Sequence, residues 1–241
     1  MTRAPRALAA VVALVLLTAL DASAQRRPFL QVLLEVAGIS ATPSALRGPG
    51  DELEDGDVWM AGPGERTQVR LTRDGGYRSP VFAPGDRTLL ALRRSVLVEV
   101  PATGGDARAL HALVRPSKLV GLSRDRPHEV LALFEDAGGL PWLGLVALAS
   151  GQVTPVPHDR ASREHRAMIA HVKDWERVYG GTTVYVKAET TQGLAGAVEW
   201  TDVYVTRGGD PVNVSRCDGV RCGQPALSHD GRHVAFVKAT R

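Results

Sequence analysis

The chain has 241 residues, with 29 Lys and Arg against 26 Asp and Glu and a formal net charge of +3. So mild a balance gives no electrostatic case for nucleic acid, which needs a clustered basic face. The length suits one large all-β domain or two small ones.

Residues 1–24 have the three parts of a secretory signal. Arg3 and Arg6 form the positive start, the 14 residues Ala7–Leu20 are uncharged and mostly apolar, and Ala22-Ser23-Ala24 is a small-residue cleavage site. A membrane span needs roughly 20 apolar residues, and Asp21 ends this run first. Cleavage between Ala24 and Gln25 is therefore expected, leaving 217 residues and a net charge of 27 − 25 = +2, because Arg3, Arg6 and Asp21 leave with the signal. No later segment is apolar enough to span a bilayer. Arg exceeds Lys and Ala is abundant, as in chains from GC-rich bacterial genomes. The expected location is periplasmic or secreted.

Residues 25–56 read as an N-terminal segment and an acidic linker. Asp51, Glu52, Glu54, Asp55 and Asp57 crowd its end. Calcium favours such oxygen clusters, but the EF-hand spacing is absent, and the expectation is an exposed acidic loop.

From residue 57 onward, short apolar or alternating runs are broken by Gly, Pro and Asp, the pattern of β-strands and turns. Asp57-Val-Trp-Met-Ala, Gln68-Val-Arg-Leu-Thr, a Pro-containing strand and Leu89-Leu-Ala-Leu follow one another near the front. Asp202-Val-Tyr-Val-Thr, Pro211-Val-Asn-Val-Ser, Gly223-Gln-Pro-Ala-Leu and Val234-Ala-Phe-Val repeat that template at the back. A weaker copy holds Leu119 to Phe134. The turns at Gly85 and Asp125 stand 40 positions apart, the period of a propeller blade.

The runs group into blades: 78–83, 87–93, 95–100 and 107–113, then 118–123, 128–134, 142–148 and 152–156, then 166–172, 182–188, 198–206 and 211–215. Two strands at each end, 224–227 and 232–237 with 57–61 and 67–72, would form a further blade closed by both chain ends. Such closure also protects sheet edges. Residues 29–36 suit an extra strand or a short helix. Residues 157–179 fall outside the pattern and suit a partly helical insertion, with Met168, Val172, Trp175 and Tyr179 at helical spacing. The expected fold is all-β, a propeller of about four to five four-stranded blades, incomplete or closed by its terminal strands.

Ser228-His-Asp-Gly-Arg-His-Val-Ala-Phe-Val resembles the Ser-Pro-Asp-Gly-Lys-x-Ile-Ala-Phe signature of WD40-like repeats in TolB-type propellers. Asp57-Val-Trp and Asp202-Val-Tyr resemble the Asp-Ile-Tyr strand of that repeat, and Leu71-Thr72 its strand end. The resemblance covers about residues 57–238 and implies turn residues at Pro84, Gly85, Asp86, Asp125, Asp230 and Gly231. Asp-Gly suits a tight hairpin because Gly accepts positive φ. Three departures stand out. His229 replaces Pro, Pro84-Gly85-Asp86 reorders the turn, and 124–127 lacks Gly. Lys173-Asp-Trp-Glu-Arg with Gly180-Gly-Thr-Thr-Val-Tyr-Val also resembles the propeller of prolyl-oligopeptidase-type serine peptidases, whose catalytic residues lie in a separate hydrolase domain.

Cys217 and Cys222 are the two cysteines. Paired thiols are expected in an oxidising compartment, and Asp218-Gly219 supplies the turn. Two Cys without a nearby His pair do not complete a zinc shell, and a redox pair uses C-x-x-C, so a structural disulfide is expected. No nucleophile elbow, zinc-protease helix, phosphate loop or dinucleotide fingerprint occurs. His158, His165 and His171, with Asp159, Glu164 and Asp174, do not share one face at their spacings and read as solvated loop residues. Trp142, Trp175 and Trp200 suit blade cores. Asn213-Val-Ser is a glycosylation sequon. Together these readings point to a non-catalytic module without catalytic, metal or cofactor residues. It would bind another envelope or secreted protein through its interblade loops, together with the 157–179 insertion. Nucleic acid is not expected as a partner, and any small-molecule ligand is left unnamed.

Overall fold

The computed structural model describes residues 55–62, 67–123, 126–139, 141–156, 181–193 and 196–240. All belong to one compact unit, Arg47–Arg241. The signal with Ala24 and Gln25, the acids at 51–54, Asp125, and the 157–179 segment with its three histidines lie outside the described residues.

The described elements are all strands, and the sheet pairings are antiparallel. β1 (Gly56–Ala61) and β2 (Gln68–Arg70) come first. β3 (Tyr77–Phe82), β4 (Thr88–Arg93), β5 (Val96–Pro101) and β6 (Arg108–Ala112) form the first blade, a simple meander. β7 (Pro116–Ser123), β8 (Arg126–Glu135), β9 (Pro141–Ala147) and β10 (Val153–Pro155) form the second. β11 (Thr182–Gly193), β12 (Gly196–Arg207) and β13 (Val212–Asn213) form the third. β14 (Cys222–Leu227) and β15 (Val234–Ala239) pair with each other, and β15 then pairs with β1 and β1 with β2. Strands from the two ends of the described chain thus make one closing blade, in the order expected from the sequence. Its seam runs without a shift from Gly56↔Ala239 to Ala61↔Val234. A single pairing, Gly56↔Tyr77, joins it to the first blade.

Three apolar seams hold the blades face to face. Phe82, Leu89, Ala91 and Val100 of the first blade meet Val58, Leu71, Ala226 and Ala235 of the closing blade. The other face of the first blade, with Val81, Leu90, Leu92 and Leu97, meets Leu119, Val130, Ala132 and Phe134 of the second. On the far face of the closing blade, Ala61, Val234 and Phe236 meet Val203, Val205 and Val214 of the third. This explains why Leu89-Leu-Ala-Leu is apolar at every position: β4 is covered on both faces, so period-2 alternation is lost. Four blades of antiparallel strands in the spatial order third, closing, first, second make an open propeller-type fold. Trp142 joins the second-blade seam and stacks on Phe134 at 4.7 Å, as a blade-core aromatic should.

Two glycines are forced by close approach. A Cβ on Gly56 would collide with the Lys238 carbonyl oxygen. One on Gly144 would lie 2.8 Å from Val153 Cγ1 and 3.0 Å from the Phe134 ring.

Candidate functional site

Two blades carry the same buried clamp. Asp57 is 2% exposed. Its carboxylate accepts from the Thr72 hydroxyl at 3.0 Å, from the Gly75 N–H at 3.0 Å and from Arg70 Nη2 at 2.6 Å. The Thr72 oxygen in turn accepts the Val58 N–H at 2.9 Å. In the third blade Asp202 accepts from the Ser215 hydroxyl at 2.7 Å and the Cys217 N–H at 2.7 Å, and the Ser215 oxygen accepts the Val203 N–H at 2.7 Å. Trp200 Nε1 and Asn213 Nδ2 complete the shell, each at 3.0 Å. Burial pushes the Asp202 pKa up, but these donors outweigh it and hold the carboxyl below its ordinary value. Asp57 therefore departs from its expected place in an exposed acidic loop. It lies second in β1 and accepts from three donors. Asn213 spends its amide nitrogen, the atom a glycan would take, on Asp202.

The turn residues cross-link blades. Asp86 sits at φ 56. Its Oδ1 accepts the His229 N–H at 2.9 Å and lies 2.6 Å from His229 Nδ1, while Oδ2 accepts the Asp230 N–H at 3.0 Å. The turn of the first blade thereby holds the turn of the closing blade. Both departures from the repeat, Asp86 for Gly and His229 for Pro, serve this link. Asp230 accepts the Ser228 hydroxyl at 2.7 Å and the Arg232 N–H at 2.9 Å. Pro84 and Gly85 form the tip beside Asp86, and Gly231 sits at φ 68.

The cysteines are joined in a disulfide with Cα atoms 6.2 Å apart. Both sulfur residues are buried in the seam between the third and closing blades. Thr201 donates its hydroxyl to the Cys222 carbonyl at 2.7 Å. Gln68 and Arg207 bridge the same seam, to the carbonyls of Ser215 and Gly231.

Sequence reasoning missed two features. Ser79 and Gln224 each precede a proline, yet both adopt φ 51, a conformation that costs about 1–3 kcal/mol for a residue other than glycine. Each marks a bulge in an innermost strand, and Gln224 Oε1 accepts the Ser79 N–H across the blade junction. The signal is the shared x-Pro inside a strand, because proline in a strand is confined to edges and bulges.

The second feature is a cleft of about 730 Å3 at the rim where the first and second blades meet. Arg78, Arg115, Ser117, Glu135, Asp136 and Gly138 are among its lining residues. Arg78 is anchored by Asp55 at 3.2 Å and by the carbonyls of Arg94 and Pro116 at 2.8 and 3.0 Å. Arg115, exposed at φ 50, spends Nη1 on the Asp136 carbonyl at 2.8 Å. The arrangement sets the exposed Arg115 guanidinium beside the exposed Glu135 and Asp136 side chains, suited to polar and charged groups of a partner.

No protein-family model matches the sequence, and no curated protein matches it. Two of the solved structures to which the chain is similar illustrate the likeness. One is a protein assigned as TolB from Agrobacterium tumefaciens, with 14% identity, TM-score 0.36, and coverage of 76% of this chain and 62% of that chain. The other is the β-propeller domain of the Trilobed protease from Pyrococcus furiosus, described as having an open velcro topology, with 8% identity, TM-score 0.31, and coverage of 75% and 70%. The chain thus spans less than two thirds of the length of the TolB structure.

Proposed function

We propose that this chain is an exported, non-catalytic propeller-type module that binds another envelope or secreted protein. The observation that carries the reading is the rim cleft between the first and second blades. Its charged side chains are mounted on strand ends and tight turns, and face-to-face blades fix their spacing. Binding residues typically sit on loops that a rigid scaffold positions, and function on such a fold lies in the site and not in the fold itself. Export rests on the signal sequence and agrees with a disulfide, which persists in oxidising compartments.

A photo-crosslinking residue at Ser117 in the native host should trap a discrete partner, and Arg115→Glu should abolish the adduct. A crosslinker at Arg87, away from the cleft, serves as control. Equal adducts at both positions would sink the cleft assignment. Mass spectrometry should find the mature N-terminus at Gln25, and recovery of intact Met1 would sink export. A second reading is the propeller part of a prolyl-oligopeptidase-type peptidase, favoured by the Gly180-Gly-Thr-Thr-Val-Tyr-Val stretch. Turnover of peptide or ester substrates by the purified chain, lost on His165→Ala or Asp174→Ala, would overturn the non-catalytic reading.

A further inference from the structure

A different surface, on the third blade, carries a long two-stranded ribbon with a short third strand. β11 and β12 pair over 12 positions without a shift, from Thr182↔Arg207 to Gly193↔Gly196. The third strand, β13, accompanies β12 only at Tyr204↔Asn213 and Val205↔Val212. Two devices end it. Ser215 and Cys217 are drawn onto the Asp202 carboxylate, and the disulfide commits the chain to the closing blade. From Val203 toward Gly196, no described strand pairs with the β13 side of β12, and β14 contacts β12 through the Thr201 hydroxyl.

The direction of the backbone groups follows from the ladder. Val203 points both of its groups to the β13 side: its N–H goes to Ser215 Oγ at 2.7 Å, and its carbonyl accepts the Val214 N–H at 3.0 Å. Alternation along a strand then places the N–H and C=O of Glu199 and Ala197 on that same side. Both residues are exposed. A two-stranded ribbon is at best marginally stable in water, and its open edge is a template for another strand.

We infer that the β12 edge at Ala197–Glu199 receives an extended segment of another polypeptide, which continues the sheet where β13 is diverted. The chemistry of the segment follows from the two faces. Val198, 44% exposed, and the half-buried Trp200 lie on one face, and they call for an apolar residue. Glu199 lies on the other, with no ion pair among the described residues, and calls for Lys or Arg. The opposite edge, on β11, follows directly from residues outside the described set and is not part of the proposal. The proposal does not rest on the rim cleft, so either surface can fail alone.

The test uses the full mature chain and a synthetic peptide of about ten residues alternating valine and lysine, the length of a long strand. Amide exchange should slow at Ala197 and Glu199 when the peptide is added. Glu199→Pro removes one outward N–H without touching a β11 hydrogen bond, since proline is tolerated where the N–H faces solvent. It should weaken binding up to about tenfold, the worth of one hydrogen bond, with circular dichroism and Tm unchanged. Glu199→Lys should disfavour the lysine peptide and favour its glutamate counterpart, and it carries the test if the proline variant fails to fold. Three results would overturn the proposal: equal binding by Glu199→Pro, protection confined to the cleft or to β11, or a concentration-dependent dimer lost in Glu199→Pro without peptide protection. The last would assign the edge to a second copy of the chain.

Discussion

Asp57 and Asp202 occupy the same station in two blades. Each precedes a valine whose N–H bonds to a hydroxyl, and that hydroxyl bonds back to the aspartate, Thr72 in one case and Ser215 in the other. The chain thus reuses one three-part circuit to tie one strand to the residues just past the end of the next. The circuit gives the Asp-Val-aromatic repeat a physical cause. Both acids are buried, and at Asp202 the donors hold the carboxyl below its ordinary pKa.

Replacing Asp202 should destabilise the third blade first. In Asp202→Asn the new amide would face Trp200 Nε1 and Asn213 Nδ2, two donors, so the loss should be on the order of 3 kcal/mol at neutral pH. The pH dependence has a definite sign. The folded-state pKa is held below the ordinary value, so the stabilisation is present above about pH 4, the unfolded carboxyl range. It disappears as pH falls through the folded-state value. Urea midpoints between pH 2 and 7 (about the span that brackets a carboxylate) should fall more steeply in the wild type than in the variant. Parallel profiles would contradict the clamp.

Gly56→Ala tests the closing seam. The added methyl meets a main-chain carbonyl, which cannot rotate away, and overpacking of this kind costs about 1–3 kcal/mol. The expected outcome is a lower Tm with faster amide exchange along β1 and β15. A larger effect from Gly209→Ala, where a Cβ meets nothing within 4 Å, would contradict this assignment.

Much of this architecture could be read from residue types. The order of strands and the pairing of both chain ends follow from alternation and from the repeated Asp-Val-aromatic template, because those features encode which faces are covered. Side-chain contacts between elements could not be read. Asp57 looked like one acid among several, since nothing local says that Arg70, Thr72 and Gly75 converge on it. The cleft was equally hidden: Arg78, Arg115 and Glu135 belong to separate strands and share no motif. Nor does any local pattern tell that β12 outruns β13, because Ser215 and Cys217 are drawn onto Asp202 from a separate strand.

Cys217→Ser and Cys222→Ser should each cost about 2 kcal/mol, the chain-entropy value for so short a loop. The bond lies in the seam between the third and closing blades. Its loss should therefore raise proteolytic sensitivity at 208–221 before the first and second blades respond. In the oxidised protein neither residue should be alkylated, and labelling of native material without reductant would refute the pairing.

The backbone and side chain of Asp86 pull in opposite directions. A non-glycine residue at φ 56 is disfavoured, so Asp86→Gly should relieve strain worth about 1 kcal/mol. The same change deletes a carboxylate that receives the His229 and Asp230 N–H groups and contacts His229 Nδ1. Hydrogen bonds to a charged acceptor contribute about 1.5–3 kcal/mol each, so the loss should win and Asp86→Gly should lower stability. Asp86→Asn keeps one oxygen and the tolerance for positive φ, and should fall between the two. His229→Pro restores the residue usual in the repeat but removes both the N–H and the ring. It should destabilise the wild type and have little further effect in Asp86→Gly, since the partners are coupled. Thermal unfolding of the four proteins in a double-mutant cycle decides the matter. Additive losses would mean that the two turns do not hold each other, and that the departures from the repeat at these positions need another cause.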